Sequence, residues 1–187
     1  MNRLDIFPTP IDGLHRIVSR PMGDSRGHFS RLFCADELAA AGWTDPIAQA
    51  NLTYTRSKST VRGLHFQHPP HAELKMVRCL RGEVWDVVVD IRTNSPTFLK
   101  WHAVHLSPTN LTALLIPRGC AHGFQTLTDD VEMLYLHSAI YAQDSEGGLN
   151  ITDPTLSIDW PLPIGEISPR DQSFPLLSPD FKGIVLS

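Results

Sequence analysis

Proline and glycine interrupt this sequence so often that they limit what the chain can fold into. The 187 residues include 15 prolines and 12 glycines, which recur at short intervals. Proline removes a backbone hydrogen-bond donor, and glycine is common where a chain turns. Segments this brief are typical of short strands joined by turns.

The segments between these breaks have the composition of β-strands. From residue 75 onward they are rich in Val, Leu, Ile and aromatic residues and are bounded by turn-forming residues. They cover residues 75–80, 83–91, 101–106, 111–117, 122–127 and 131–136. One helix is predicted at 36–41, with acidic residues in its first turn and Gly42 as its C-terminal cap.

These elements predict an all-β jelly-roll sandwich or barrel with one or few short helices. We expect a single domain over residues 1–187, with its core at about 24–161. The segment at about 162–187 is rich in loops and prolines, and we expect it to wrap as extended chain on the barrel or on a partner.

Charge and cysteine usage exclude several classes of protein. Sixteen Lys and Arg against twenty Asp and Glu give a formal net charge of −4, without the basic excess typical of nucleic-acid binders. No apolar run approaches the roughly 18 to 20 residues that cross a bilayer, and the first residues lack a secretory signature. Three cysteines without disulfide or metal spacing are predicted to be free thiols among apolar neighbours. We therefore expect a cytoplasmic protein with neither nucleic acid nor membrane as a partner.

Alternation within the strands indicates which side chains share a face. In residues 83–91 the odd positions from 85 onward are wholly apolar, whereas the even positions include Asp86 and Asp90. The second face is predicted to meet a polar cavity or solvent. Lys75 and Tyr135 lie on otherwise apolar strand faces, where a polar group is costly unless it has a partner.

Residues 62–75 concentrate the side chains that carry chemistry, including three histidines, a glutamate and a lysine. Metal sites in small β-barrels commonly use an HxH pair, a nearby glutamate and a later histidine. His65, His71, Glu73 and His122 meet part of that pattern, but Gln67 occupies the second position of the HxH pair. We therefore expect no metal, and a metal-dependent enzyme stays the alternative.

Acid–base chemistry without a metal is the interpretation that these residues favour. Imidazole exchanges protons near neutral pH, so His65 is suited to act as a base. Lys75 could stabilise an oxyanion and Tyr135 could donate a proton, each from a different strand. The interior of a barrel can bring together side chains that are distant in sequence.

A set of dispersed motifs resembles one known family in order and spacing. The motifs are DSRGHF at 24–29, QAN at 49–51, VRGLHFQ at 61–67, KMVR at 75–78, VVVDIR at 87–92, SPTF at 95–98, AHGF at 121–124, LY at 134–135 and DWP at 159–161. From about residue 24 to 171 the chain resembles the dTDP-4-dehydrorhamnose 3,5-epimerase family of cupins. Members of this family remove and return protons beside the 4-keto group of a nucleotide-linked 6-deoxyhexose.

The resemblance implies a catalytic set of four residues and no cofactor. His65 would be the base, and Asp171 would be the carboxylate that holds its tautomer. Lys75 would stabilise the enolate oxygen, and Tyr135 would return a proton to the opposite face of the sugar.

The resemblance also implies a set of substrate-binding residues. The sugar pocket would be lined by Asp86, His122 and Tyr141. The diphosphate suits Arg26 and Arg62, because guanidinium groups bind it in a bidentate manner. Gln49 and Asn51 would contact the nucleotide end or the sugar.

By the same resemblance the protein is expected to be a homodimer. The N-terminal segment would join the partner's sheet, so that Arg26, Phe29 and Arg31 act in the neighbouring pocket. Arg31 stands where the family commonly has a glutamate that helps to recognise the nucleotide, so the choice of base stays open.

Three alternatives differ from epimerisation at both carbons. One is a single-site epimerase, at C3 or C5, acting on a sugar linked to a different nucleotide. Another is the metal-dependent cupin described above, and the last is a sugar-nucleotide binding module without catalysis. Retention of all four proposed catalytic residues argues against a simple binder, which needs no base opposite an acid.

Overall fold

A computed structural model describes residues 2–186 of the chain. In that part of the chain, thirteen strands and two short α-helices are present. The strands are β1 (Leu4–Pro8), β2 (His15–Ser19), β3 (Met22–Asp24), β4 (Gly27–Phe29), β5 (Gln49–Thr55), β6 (Val61–Gln67), β7 (Lys75–Arg81), β8 (Val84–Asp90), β9 (Trp101–Leu106), β10 (Thr112–Ile116), β11 (Cys120–Thr126), β12 (Val131–His137) and β13 (Glu146–Gly148). The helices are α1 (Ala35–Leu38) and α2 (Pro169–Ser173).

Two antiparallel sheets form the body of the protein. One has the order β1-β2-β10-β7-β12-β5, and the other has the order β13-β6-β11-β8-β9. The strands β3 and β4 form a separate hairpin. The predicted all-β jelly roll is confirmed, and each of the six predicted strand segments overlaps one observed strand.

The principal core lies between the two sheets. Its buried side chains come from β7, β10 and β12 of one sheet and from β8 and β11 of the other, with Val77, Val88 and Phe124 among them. Each fully buried aliphatic or aromatic side chain of this kind stabilises the fold by about 1.5–3 kcal/mol. This packing fixes the faces of the strands from which functional side chains project.

Strand β8 is buried on both faces, which corrects one expectation. Val87 and Val89 belong to a second apolar cluster that residues of the C-terminal segment cover. On the other face, Asp86 and Asp90 have no exposed surface. The face with the two carboxylates therefore does not meet solvent, because hydrogen-bonding partners enclose both groups.

The predicted helix at 36–41 is confirmed in position but is divided. Helix α1 covers Ala35–Leu38, and a turn of 3-10 helix continues it over Ala39–Ala41. Gly42 ends the turn with φ at 92°, in the left-handed region that favours glycine. Leu38 and Ala41 are buried in a third cluster beside Trp43.

The C-terminal segment covers the outer face of the five-stranded sheet, in agreement with the prediction that it wraps on the barrel. Ile164, Ile167 and Phe181 pack against the cluster on that face. Fully extended chain was expected, however, and the short helix α2 was missed. Ser168 caps α2 by accepting a hydrogen bond from the Asp171 amide at 3.0 Å, and Pro169 occupies its first turn.

The three cysteines are free thiols, as predicted. Cys79 and Cys120 are buried and Cys34 is half-buried. Within residues 2–186, no helix has the length and apolar character needed to span a membrane.

Candidate active site

A cavity of about 790 Å³ opens between the two sheets. Its walls come from β5, β7 and β12 of one sheet, from β6 and β11 of the other, and from α2. Nine of the predicted site residues line this cavity: His65, Lys75, Tyr135, Asp171, Gln49, Asn51, Arg62, His122 and Tyr141.

Close approach of β6 and β11 brings two histidines side by side. Gly63 has φ at 125°, and a Cβ atom there would lie 2.5 Å from the Cα atom of Gly123. Glycine at this crossing is therefore required both by conformation and by space. In the resulting register His65 is opposite His122.

His65 and Asp171 form a hydrogen-bonded pair. His65 Nε2 lies 2.8 Å from Asp171 Oδ1, and the Gly63 amide donates to Oδ2 at 3.2 Å. Burial opposes ionisation of Asp171, but the hydrogen bonds from His65 and Gly63 hold the pKa of this carboxyl below its usual range. An ionised Asp171 can accept a hydrogen bond from Nε2, and in that tautomer the lone pair of the neutral imidazole lies on Nδ1.

Tyr135 stands on β12, in the opposite sheet from His65. Its ring meets His122 edge to face with centroids 6.0 Å apart, and it stacks on His137 at 6.0 Å with an interplanar angle of 7°. Burial raises the pKa of Tyr135 well above its usual value. The phenol therefore keeps its proton at neutral pH and is available as a donor.

Lys75 places a buried cation in the same cavity. The residue is 8% exposed, and Nζ lies 3.2 Å from Glu73 Oε1. An ammonium held out of water interacts strongly with any negative charge that develops nearby.

Asp86 does not line the cavity as predicted but lies behind His122. His122 Nε2 is 3.0 Å from both carboxylate oxygens of Asp86, which is fully buried. Burial lowers the pKa of His122. Asp86 therefore orients the imidazole, and His122 is the member of this pair that faces the cavity.

Polar residues predicted to bind the nucleotide or sugar surround the cavity. Arg62 donates from Nε to Thr55 Oγ1 at 2.9 Å. The Tyr141 hydroxyl donates to Glu146 at 2.9 Å, and the Tyr141 amide donates to the Gln49 side chain. The hydrogen bond to Thr55 holds the Arg62 guanidinium at the cavity wall.

The structure does not bring Arg26, Phe29 or Arg31 to the cavity of their own chain. The Arg26 side chain is 88% exposed and pairs with Asp24 at 2.6 Å. Phe29 is 67% exposed on the β3–β4 hairpin. Arg31 forms an ion pair with Glu37. Their predicted action in a partner's pocket stays a prediction.

Several cavity residues were not identified from the sequence as part of this site. Arg170 lies next to Asp171 in the chain, and its Nη2 is 2.8 Å from His65 Nε2. Its Nη1 donates to Glu146 at 2.7 Å, so both residues join the His65 side of the cavity. The sequence offers one signal for Arg170, which is its position directly before Asp171. Glu146 lies in none of the recognised motifs.

Glu73 was considered as a metal ligand, but it instead contacts Lys75 and His137. Among the residues that the structure describes, no three His, Cys, Asp or Glu side chains are arranged to hold a metal ion.

Comparison with known proteins agrees with the fold and identifies the family. The model of the dTDP-4-dehydrorhamnose 3,5-epimerase family matches residues 8–179. A dTDP-4-dehydrorhamnose 3,5-epimerase of Sinorhizobium fredii is 40% identical over 162 residues, which cover 86% of this chain and 83% of that protein. A dTDP-4-dehydrorhamnose 3-epimerase of Streptomyces niveus is 38% identical over 172 residues, covering 91% and 83%.

A solved structure gives the same result in three dimensions. The crystal structure of the dTDP-6-deoxy-D-glucose-3,5-epimerase of Legionella pneumophila, in complex with dTDP-4-keto-L-rhamnose, superimposes with a TM-score of 0.88. The two chains are 39% identical, and the match covers 92% of each.

The jelly-roll fold and this cavity, with the comparisons, define an isomerase that acts on a carbohydrate. The chain belongs to the dTDP-4-dehydrorhamnose 3,5-epimerase family. The resemblance drawn from the sequence motifs is thereby confirmed.

Proposed function

We propose that this enzyme inverts C3 and C5 of a dTDP-linked 4-keto-6-deoxyhexose. The observation that carries the proposal is the convergence of His65 with Asp171, Lys75 and Tyr135 on one cavity. A ketone makes the chemistry possible, because the charge left by removal of a neighbouring proton moves onto oxygen. The names of the relatives supply the sugar and the nucleotide.

Each inversion is a proton exchange through an enolate. Neutral His65 removes the proton from the carbon beside the ketone, and the electron pair of that bond passes to the 4-oxygen. The Lys75 ammonium stabilises the oxyanion. Tyr135 then donates its proton to the opposite face of the carbon, and exchange of both side chains with solvent restores His65 and Tyr135 for the next step.

Substrate binding is proposed to use the remaining predicted residues. Arg62 would bind the diphosphate, and His122, Tyr141, Gln49 and Asn51 would contact the rest of the substrate. Their support is their position on the cavity wall.

We further propose a homodimer in which the β3–β4 hairpin completes the partner's nucleotide site. Support comes from the exposed Phe29 and Met22 and from the solvent-facing Arg26 on this hairpin. Light scattering that gives a monomer would contradict the proposed homodimer.

A cytoplasmic location is proposed because the thiols are unpaired, as in proteins of reducing compartments.

Proton NMR in deuterated buffer with dTDP-4-keto-6-deoxyglucose tests the reaction. Loss of the signals at both C3 and C5 is expected. Loss at one carbon would instead establish a single-site epimerase, a candidate favoured by the similarity to the 3-epimerase of Streptomyces niveus. Inertness of this sugar and of its UDP, GDP and CDP counterparts would contradict the proposal.

Two variants assign the proton transfers in the same experiment. His65→Ala removes the base, so exchange and inversion should both stop. Tyr135→Phe removes the donor but leaves the base, so exchange should persist while inversion is lost. Tyr54→Phe is the matched control, since Tyr54 is an exposed residue outside the cavity.

A further inference from the structure

Glu73 is a buried carboxylate to which the proposed reaction assigns no role. Its side chain is 7% exposed, and Oε1 lies 3.2 Å from Lys75 Nζ and 3.5 Å from His137 Nδ1. Its other oxygen, Oε2, accepts a hydrogen bond from Gln67 Nε2. Three strands, β6, β7 and β12, thus direct donors at one carboxylate.

This carboxylate carries a negative charge at neutral pH. Burial would raise its pKa, but the hydrogen bond with His137 and the charge of Lys75 outweigh burial and lower it to about 2. Within residues 2–186, Glu73 is the one carboxylate that lies within 4.0 Å of the Lys75 ammonium. A buried ammonium is costly without such a counter-charge, so Glu73 stabilises Lys75 as a cation in a fixed position.

The second contact of Glu73 leads to the proposed acid. His137 is directly opposite Lys75 in the β7–β12 register. His137 and Tyr135 are two residues apart on β12 and therefore share a face, where their rings stack at 6.0 Å. The Tyr135 ring is held between His137 on this side and His122 on another.

We propose that Glu73 is a positioning residue for epimerisation, which fixes the Lys75 ammonium directly and the Tyr135 phenol through the ring of His137. This inference rests on the proposed function, because that function gives Lys75 and Tyr135, the two side chains that Glu73 positions, their roles at the enolate. Glu73 itself lies at the cavity wall with both carboxylate oxygens engaged by Lys75, His137 and Gln67, so it acts on the substrate through them.

Glu73→Gln is the first test, because it removes the charge while keeping the size of the side chain. Charge on the sugar oxygen develops only as the proton leaves, so the loss should fall on kcat. We expect kcat for inversion to fall about tenfold or more, with KM within about threefold of wild type. Glu132→Gln is the matched control, since Glu132 lies on β12 and pairs with exposed Arg81 away from the cavity.

His137→Asn tests the second half of the inference. It keeps a donor near the position of Nδ1 but removes the ring that stacks on Tyr135. A poorly aligned phenol lets the enolate recover its proton from the side of His65. We therefore expect deuterium exchange to stay within about threefold of wild type while inversion falls more than about fivefold, so that their ratio rises.

The outcomes separate this inference from the function on which it rests. An inactive wild-type enzyme on every nucleotide sugar would contradict the proposed function. An active wild type with a folded Glu73→Gln variant of unchanged kcat, or with a loss confined to KM, would overturn the role of Glu73. If that variant does not fold, His137→Asn decides, and an unchanged ratio of exchange to inversion overturns the inference.

Discussion

The contact between His65 and Asp171 shows how a single carboxylate can determine which atom of a histidine is basic. Asp171 Oδ1 lies 2.8 Å from Nε2, the Gly63 amide donates to Oδ2, and the Asp171 amide donates to Ser168 Oγ at the start of α2. Its depressed pKa keeps it ionised. In the tautomer that donates to this carboxylate, Nε2 carries the ring proton and the free lone pair lies on Nδ1, which is the basic atom.

Asp171→Asn should disrupt this selection while leaving the fold in place. The amide can donate to the imidazole as well as accept from it, so the ring can take the other tautomer. By analogy with the same change in hydrolytic triads, we expect kcat to fall by up to about 10⁴-fold. Steady-state kinetics and thermal melting of the variant provide the measurement.

Asp159→Asn is the control for that experiment, since Asp159 is exposed and outside the cavity. It should retain wild-type kinetics. A rate for Asp171→Asn within about threefold of wild type would show that His65 does not depend on this carboxylate for its tautomer.

Individual site residues differ in how far the sequence could predict them. The sequence indicates His65, Lys75 and Tyr135 as candidates because a base, a cation and a donor on strands already indicate chemistry, and all three line the cavity. Asp86 was placed on the correct face of β8, but its distance from the cavity depends on His122, which stands in front of it on β11. Such a layering is decided by sheet packing and is not visible in strand periodicity.

The contacts of Glu73 show a second limit of sequence reasoning. His137 is distant from Glu73 in the chain, and the two meet because β7 pairs with β12 in one register. A shift of one residue in that register would turn the His137 side chain to the other face. Neither residue type nor local spacing contains this information.

At the scale of elements, the loop after β8 is built around one carboxylate. Asp90 accepts hydrogen bonds from Arg92 Nε at 2.9 Å and Nη2 at 2.7 Å, and from the Thr97 hydroxyl at 2.6 Å. Ser95 donates to the same oxygen as Thr97. This arrangement closes the connection between β8 and β9.

Asp90→Asn should destabilise this connection. The side-chain amide presents donors to Arg92, Ser95 or Thr97, and the half-buried Arg92 guanidinium loses the nearer of its two counter-charges, Asp12 being the other. Loss of one member of a buried pair costs about 3–5 kcal/mol, which we expect as the fall in the free energy of unfolding in urea. Asp144→Asn, at an exposed position, should change that free energy by less than about 0.5 kcal/mol. Equal stabilities of the two variants would contradict this account.

Strands were easier to predict than helices in this chain because the two signals differ in length. Every strand from β7 to β12 spans at least five residues, long enough for an apolar pattern to show. Helix α2 has five residues and no apolar periodicity. Its signals are the cap Ser168 and Pro169, which also suit an extended loop. The tertiary contact between Asp171 and His65 favours the helix over an extended loop, since the helix carries that carboxylate to the cavity.

For the whole molecule, buried carboxylates connect the stability of the fold to pH. The pKa of Glu73 is lowered to about 2 despite its burial. The pKa of Asp90 is also lowered, because hydrogen bonds from Arg92, Ser95 and Thr97 outweigh burial. In the unfolded chain such groups bind protons near pH 4. Between about pH 5 and the folded values, the unfolded state therefore binds more protons than the folded state.

The sign of this difference predicts a loss of stability in acid. The stabilisation is fully present above about pH 5 and is lost as pH falls through the folded pKa values, with a contribution from Glu73 on the order of 3 kcal/mol. Urea unfolding at pH 7, 5, 4 and 3 should show a steep decline over the last two steps. Glu73→Gln has no proton to bind at this position, so its stability should decline less over the same range. Parallel curves for wild type and variant would show that the ionised Glu73 does not contribute to the stability of the fold.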